Sequence, residues 1–296
     1  MKARVIFVPG LAAKPEARAY RAQLLRVLLA ALETARPRAA RALAASAEAF
    51  VLVEWTHLFY PEPRDIALDL PAIERLVTQT PTSADRDEVS SWIHRLDMLA
   101  RMVGDAVPLL TGLANSTIRA QLDDVARYQR DDAGIGTEIR RLVREQLEAA
   151  WAARERVLLI AHSLGSVICY EALWDLTRER GAEPRIDLFV TLGSPLATHV
   201  IRRGLRGAGL RGAEAYPANI ARWVNLTARG DTTALYPRLG PRFRAMRELG
   251  LVESIEDHVD LGNYFRGTTG VNAHEAYGYL FQPTLAGLVG DFVERA

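Results

Sequence analysis

A short run of apolar residues leads directly into a sharp turn at Val157–Ser166, whose sequence is Val-Leu-Leu-Ile-Ala-His-Ser-Leu-Gly-Ser. The turn is centred on Ser163, and a helical apolar pattern follows at once. A G-x-S-x-G nucleophile elbow requires this strand–turn–helix context. It also needs small residues two positions before and after the serine, and here these are Ala161 and Gly165. The segment therefore predicts a nucleophilic serine, with an ordinary strand–helix junction as the alternative.

Strand signals recur along the chain as short apolar runs separated by helical patterns. They occur at Ala3–Val8, Phe50–Trp55, Val157–Ala161, Ile186–Leu192, Trp223–Thr227 and, weakly, Ile255–Leu261. Continuous apolar runs are typical of parallel strands covered on both faces. Alternating strands and helices predict right-handed βαβ crossovers, and hence an α/β fold with a doubly wound, mostly parallel sheet. We predict a single domain over residues 1–296.

A long segment between two predicted core strands, from Pro61 to about Asp132, carries no convincing strand. It shows helical patterns at Pro71–Val77, Val89–Val103 and Ile118–Tyr128. We therefore predict a helical cap inserted at approximately residues 61–132. Its apolar side chains are numerous enough to pack on the sheet and wall a pocket: Trp92, Ile93, Leu96, Met98, Leu99, Met102 and Val103. A structural helical layer and a lid that gates substrate fit this pattern equally well.

The bulk composition argues against several classes of partner. The formal net charge of +1 gives no general attraction to nucleic acid or to anionic membranes. The basic, glycine-rich stretch Arg202–Gly212 lacks the strand-to-helix context of a phosphate loop, so we expect a solvated connection. No apolar stretch approaches the ~20 residues of a membrane span, and the N-terminal run is too short for a secretory signal. The single cysteine, Cys169, suits a reducing compartment. We expect a soluble, cytoplasmic protein without a nucleic-acid partner.

A serine hydroxyl needs a base to remove its proton, and that base needs an orienting acid. After a nucleophile elbow the acid and then the histidine follow in the chain. Asp231 comes after the predicted strand Trp223–Thr227, at the end where open α/β sheets place their sites. We predict Asp231 as the acid. Other carboxylates near the last predicted strand remain alternatives: Glu253, Glu256, Asp257 and Asp260.

One of six histidines is the predicted base. Five are disfavoured by their order or their context: His57, His94, His162, His199 and His258. The side chain of His162 should point away from that of its neighbour Ser163. His258 lies among acidic residues, but nothing else supplies further metal ligands, so we predict no metal site. His274 ends a Gly- and Thr-rich loop before the C-terminal helix, and we predict it as the base.

Backbone amides complete the predicted site. The residue after the nucleophile supplies one oxyanion donor in this architecture, and the loop after the first strand supplies the other. These are the N–H groups of Leu164 and Leu11, because Gly10 lets the chain turn with its amides exposed.

Together these segments resemble the α/β-hydrolase superfamily, specifically its lipase-like serine hydrolases. The segments that carry the resemblance are the elbow, Phe7–Leu11, Val190–Leu196, Trp223–Asp231 and His274–Tyr277. The arrangement is similar to bacterial relatives of the lipase-like group that includes the GPI-inositol deacylase type. The departures are Ala161 in place of glycine, and Pro9 where many relatives carry histidine.

The resemblance implies roles for the predicted residues. Ser163 would be the nucleophile, His274 the general acid and base, and Asp231 its orienting acid, with Leu11 and Leu164 as oxyanion donors. We expect hydrolysis of a small-molecule or lipid ester through an acyl-enzyme, without a metal or an organic cofactor. Peripheral contact with lipid and the oligomeric state are left open. The alternatives are a thioesterase, amidase or phospholipase on the same triad, or a catalytically silent interaction module.

Overall fold

The computed structural model of the chain describes residues 2–91 and 116–295. A six-stranded sheet lies at its centre, and every neighbouring pair of strands in it is parallel. The strands are β1 Ala3–Val8, β2 Phe50–Leu52, β3 Arg156–His162, β4 Ile186–Leu192, β5 Ile220–Ala228 and β6 Ser254–Leu261. The predicted α/β class with its parallel sheet is confirmed. β2 is shorter than predicted, because the chain turns into a 3₁₀ helix at Thr56–Leu58.

Helices connect these strands. They are α1 Ala17–Ala35, α2 Pro37–Ala45, α3 Leu70–Thr78, α4 Ser83–Val89, α5 Ser116–Gln129, α6 Ile135–Ala152, α7 Leu164–Arg180, α8 His199–Gly204, α9 Arg244–Glu248, α10 Ala276–Leu280 and α11 Pro283–Glu294. A short antiparallel pair, β7 Arg266–Gly267 and β8 Gly270–Val271, precedes α10. Within residues 2–91 and 116–295, no helix has the length and apolar character needed to cross a membrane.

Between β2 and β3 the described chain is helical, which agrees with two of the three helical patterns predicted there. The pattern at Pro71–Val77 forms α3, and the pattern at Ile118–Tyr128 forms α5. The third pattern, Val89–Val103, begins at the last residue of α4, and its remainder lies outside the described residues. So do the seven apolar side chains between positions 92 and 103 that were expected to wall a pocket.

Each face of the sheet carries its own apolar core. Side chains alternate across β1, so that Val5 and Phe7 pack under α1, α2 and α11. Ile6 and Val8 point to the other face, where they pack against α6 and α7. All four side chains are fully buried. Two covered faces explain why β1 is apolar at consecutive positions rather than alternating.

The strand order β2-β1-β3-β4-β5-β6 places a switch point between β1 and β3. From β1 the chain moves outward to β2, then crosses back to form β3 on the other side of β1. In open α/β sheets the loops at the carboxyl ends of two such strands diverge and leave a crevice. The loop after β1 and the turn at Ser163 after β3 flank this crevice.

Candidate active site

Ser163 lies in a strained turn between a strand and a helix. β3 ends at His162 and α7 begins at Leu164, which leaves one residue to reverse the chain. Ser163 has φ 54° and ψ −128°, a combination that costs a non-glycine residue about 1–3 kcal/mol and recurs at functional sites. Its N–H donates to the carbonyl oxygen of Leu192 at 2.9 Å, which ties the turn to β4. The predicted elbow geometry is therefore present at Ser163.

Gly165 allows α7 to pass close to the end of β1. A Cβ added there would lie 2.5 Å from the carbonyl oxygen of Val8 and 2.6 Å from that of Pro9. Ala161, the other small position of the turn, is accommodated with its methyl group in the core. Of the two small positions of the turn, only position 165 therefore requires glycine.

We expect Gly165→Ala to lower the free energy of unfolding by about 2–4 kcal/mol, because the clash is with backbone of a central strand. Gly287→Ala in α11 is the matched control, since a Cβ there meets nothing within 4 Å. It should raise the free energy by about 0.5–1 kcal/mol, as expected for glycine in a helix. Urea denaturation measures both, and similar small effects of the two changes would contradict this account of the turn.

The structure brings the three predicted side chains into one hydrogen-bonded chain. His274 Nε2 lies 2.9 Å from Ser163 Oγ, and His274 Nδ1 lies 2.9 Å from Asp231 Oδ2. Because a carboxylate only accepts hydrogen bonds, Nδ1 carries the proton and Nε2 is left to accept from the serine hydroxyl. His274 is thereby held in the tautomer that can remove a proton from Ser163.

Asp231 is buried and fully hydrogen-bonded. Its Oδ1 accepts from the N–H groups of Thr233 at 2.9 Å and Ala234 at 3.2 Å. Its Oδ2 accepts from the hydroxyl of Tyr279 at 2.6 Å in addition to His274. Burial alone would raise the pKa of Asp231, but the electrostatic attraction and hydrogen bond of His274 lower it below its usual range, helped by the hydrogen bonds of Tyr279 and Thr233. The carboxylate is therefore ionised at neutral pH.

Two residues that support Asp231 were not predicted from the sequence. The Tyr279 hydroxyl, which donates to Asp231, also accepts from the N–H of Ala228 at 2.8 Å. Gly193 has φ 54°, and a Cβ there would lie 2.5 Å from Asp231 Oδ2 and 3.0 Å from His274 Nδ1. In the sequence, these two residues are marked only by their positions. Gly193 follows β4, and Tyr279 lies five residues after His274.

Three of the four competing carboxylates bind other partners, and the fourth is exposed. Asp257 accepts from the N–H of Leu239 at 2.8 Å, from Gly240 at 2.9 Å and from the Asn225 amide at 3.0 Å. It thereby fastens the loop that follows Asp231 to β6. Glu253 and Glu256 form exposed ion pairs with Arg185 and Arg222, and Asp260 is exposed at the end of β6. Of the predicted candidates, Asp231 is the one that contacts His274.

His162 supports the site without touching the serine hydroxyl. Its Nε2 lies 2.7 Å from the carbonyl oxygen of His274, to which it donates, and the two rings are 4.6 Å apart. Its Nδ1 is buried without a hydrogen-bond partner. Burial, the neighbouring His274 and Lys14 hold the pKa of His162 well below its usual range. The ring is therefore neutral, and it fixes the backbone that carries His274.

This depressed pKa predicts a pH dependence of stability. Below about pH 6.5 an unfolded chain protonates its histidines, whereas native His162 stays neutral, so the native state loses stability as the pH falls. For one proton, the free energy of unfolding can fall by at most about 1.4 kcal/mol per pH unit. We expect wild type to lose about 2 kcal/mol more than His162→Gln between pH 7 and pH 5. Denaturant titrations at both pH values test this, and equal losses in the two proteins would refute it.

Of the two predicted oxyanion donors, Leu164 follows Ser163 directly and Leu11 follows Gly10, which lies against the serine. Leu164 is the first residue of α7, and in the described chain no backbone carbonyl accepts from its N–H or from that of Leu11. Gly10 brings the loop after β1 against the serine, because a Cβ on it would lie 2.5 Å from Ser163 Cβ and 3.2 Å from Oγ. The loop can therefore approach a group bound at Ser163 only with glycine at position 10.

Two other side chains that could act as nucleophiles, Ser194 and Cys169, are buried. Ser194 is buried, and its Oγ lies 2.7 Å from that of Ser166. Burial raises the pKa of the Cys169 thiol well above its usual range, which leaves it unreactive. In the part of the chain that the structure describes, no three His, Cys, Asp or Glu side chains are grouped so that they could hold a metal ion.

Three kinds of comparison with known proteins were made, and no family model, no curated protein and no solved structure matches this chain. The features that carry most weight are the backbone strain at Ser163, the two hydrogen bonds of His274 and the buried carboxylate of Asp231.

Proposed function

We propose that this chain is a serine hydrolase of the α/β-hydrolase type that cleaves carboxylic esters through an acyl-enzyme. The observation that carries the proposal is the unbroken hydrogen-bonded chain from Ser163 through His274 to Asp231, with both bonds at 2.9 Å. A serine in a strained elbow, a base at hydrogen-bond distance and a buried acid behind that base are the parts that nucleophilic catalysis needs.

The acylation step follows from this geometry. Ser163 Oγ attacks the ester carbonyl carbon while His274 Nε2 takes its proton, and the imidazolium that forms is stabilised by Asp231. The carbonyl oxygen becomes an oxyanion, to which the N–H groups of Leu11 and Leu164 donate. When the tetrahedral intermediate collapses, the C–O bond to the alcohol breaks and His274 gives its proton to the departing alkoxide.

Deacylation uses the same groups in reverse roles. His274 removes a proton from a water molecule, whose oxygen attacks the acyl carbon of the Ser163 ester. The second tetrahedral intermediate expels Ser163 Oγ, which regains a proton from His274. The products are a carboxylic acid and an alcohol, and no step requires a metal or an organic cofactor.

The substrate class is the least constrained part of the proposal. The predicted cap at about residues 61–132 is rich in apolar side chains, which favours an apolar acyl group. Thioesters, amides and phospholipids react by the same triad chemistry, since a fold and a triad are shared across many reactions. A silent interaction module of this fold is the alternative outside enzymology. It is disfavoured because an elbow without catalysis would retain a strained Ser163 to no purpose.

A panel of substrates tests the proposal. The panel comprises p-nitrophenyl esters with acyl chains of two to sixteen carbons, an acyl thioester, an anilide and a phosphatidylcholine vesicle. We expect ester turnover by wild type and none by Ser163→Ala, with a preference for longer acyl chains. Thioester or phospholipid turnover that exceeds ester turnover would show that the substrate is a thioester or a phospholipid and not a simple ester. No turnover of any substrate by the folded wild type would favour the silent module.

A further inference from the structure

The loop after β1, residues 9–12, is held by side chains from three parts of the chain. Trp55 Nε1 donates to the carbonyl oxygen of Pro9 at 2.8 Å, and this indole is fully buried. Lys14 Nζ donates to the carbonyl oxygen of Leu11 at 2.8 Å. The Tyr60 hydroxyl lies beside the backbone of Ala12 and interacts with it electrostatically. Three polar side chains thus contact a backbone segment of four residues.

These contacts fix two of the three peptide planes in the loop. Lys14 holds the plane between Leu11 and Ala12 through its carbonyl oxygen. A trans peptide directs its N–H to the opposite side, where the Tyr60 hydroxyl lies beside it. Trp55 holds the plane between Pro9 and Gly10. The plane between them carries the N–H of Leu11, and its orientation is set by its two neighbours.

The loop also carries backbone strain, which needs such support. Ala12 has φ 80°, a left-handed conformation that is unfavourable for a residue with a Cβ. Strained backbone persists only where its surroundings determine it. Release of Leu11 or Ala12 from its partner would let the loop relax toward an ordinary turn.

On one side of the loop, few packed atoms hold it in place. A cavity of about 170 Å³ lies at the carboxyl ends of β1 and β2, and Pro9, Lys14 and Tyr60 are among the residues that line it. A wall beside open space has few atoms to oppose its movement. On this side the hydrogen bond of Lys14 to the Leu11 carbonyl therefore holds the loop.

Lys14 stands out chemically within this set. In the described chain no carboxylate oxygen lies within 4 Å of its ammonium group, and its hydrogen bond goes to the carbonyl of Leu11. Lys2 and Lys14 are the two lysines among 37 Lys and Arg residues. A lysine ammonium is a compact donor, whereas a guanidinium is broad and planar. A compact charge at the end of a flexible chain suits a single carbonyl beside a narrow cavity.

We infer that Lys14, together with Trp55 and Tyr60, is a positioning residue that orients the Leu11 N–H toward the oxyanion formed at Ser163. The inference rests on the function proposed above. Tyr60 also donates to Asp124 of α5, which connects the loop to the helical segment between β2 and β3. The contribution of Lys14 is to the transition state, because the oxyanion exists only after Ser163 has attacked.

The test replaces Lys14 with methionine, which keeps the length and the apolar stem but removes the donor. We expect Lys14→Met to lower kcat about 10- to 100-fold, the size of effect that a displaced catalytic group produces, with KM changed by less than about threefold. The affinity for a trifluoromethyl ketone, which forms a tetrahedral oxyanion on serine, should fall by the same factor as kcat/KM. Lys2→Met is the matched control, since Lys2 is exposed at the far end of β1.

The outcomes separate this inference from the proposed function. If wild type hydrolyses esters and Lys14→Met equals Lys2→Met in kcat and in inhibitor affinity, the positioning role is wrong and the proposed function stands. If wild type itself hydrolyses nothing, the proposed function fails first. If Lys14→Met does not fold, Tyr60→Phe decides in its place, because it removes the hydroxyl that lies beside the Ala12 backbone. Normal kcat and inhibitor affinity in Tyr60→Phe would then overturn the inference.

Discussion

Ser163→Ala is expected to lower kcat for an ester substrate by about 10⁵- to 10⁶-fold, because the hydroxyl that forms the acyl-enzyme is lost. The residual rate should remain above that in water, since the Leu11 and Leu164 amides still stabilise an oxyanion. Removal of Oγ leaves the elbow backbone unchanged, so the thermal transition should move by only a few degrees. Steady-state kinetics at saturating substrate, with a melting curve on the same sample, measures both quantities.

Ser194→Ala is the matched control for this change. Ser194 is a buried serine at the end of the neighbouring strand, hydrogen-bonded to Ser166 and to the N–H of Leu196. Its loss should cost about 1–3 kcal/mol of stability and less than about tenfold in kcat. A Ser163→Ala protein that retains more than a hundredth of the wild-type kcat, or a larger loss in Ser194→Ala, would show that the nucleophile is elsewhere.

Asp231→Asn is expected to lower kcat by about 10⁴-fold with the fold retained. An amide at the Oδ2 position would present N–H to His274 Nδ1, which would then have to accept. The proton of the imidazole would move to Nε2, and His274 could no longer take the proton of Ser163. The loss should fall on kcat, because the change alters the base and leaves the substrate pocket alone.

Asp257→Asn distinguishes this effect from a general consequence of removing a carboxylate near β5. Asp257 holds the N–H groups of Leu239 and Gly240, so its replacement should cost about 1–3 kcal/mol of stability. Its kcat should stay within about tenfold of wild type. Activity that survives in Asp231→Asn and collapses in Asp257→Asn would assign the acid to Asp257.

Much of the sheet could be predicted from the sequence, for a physical reason. Strands covered on both faces must be apolar throughout, and β1 and β4 were predicted with the bounds that the structure shows. β2 was predicted three residues too long, because Val53 and Trp55 are buried like strand residues although the chain there has left the sheet. Burial alone does not distinguish a strand from a packed turn.

The site was predictable where backbone geometry or the order of residues along the chain constrains it. Ser163 was identified from the turn, and Asp231 and His274 from their positions after later strands. Tyr279, Gly193 and His162 support these residues through single contacts that leave no local pattern. Contacts between residues far apart in the chain, such as Tyr279 with Asp231 over 48 positions, follow from the packing of the fold.

In the loop after β1, too, the sequence predicts the backbone turn but not the side chains that contact it. Gly10 was predicted as the residue that lets the chain turn with its amides exposed, but the three side chains that contact the loop lie at positions 14, 55 and 60. Lys14 has no motif around it, and Trp55 has the sequence context of a core residue. Their roles depend on which carbonyl each donor reaches, and that is decided by the packing of β2 and α1 beside β1.

The most direct test of the account is covalent trapping of the nucleophile. The native protein is incubated with a fluorophosphonate, which forms a stable adduct with an activated serine, and the adduct is located by mass spectrometry of peptides. The account predicts one adduct per chain at Ser163, its absence in Ser163→Ala, and a rate at least a hundredfold slower in Asp231→Asn. A folded wild-type protein that remains unlabelled, or that is labelled at Ser194 or Ser166 instead, would contradict it.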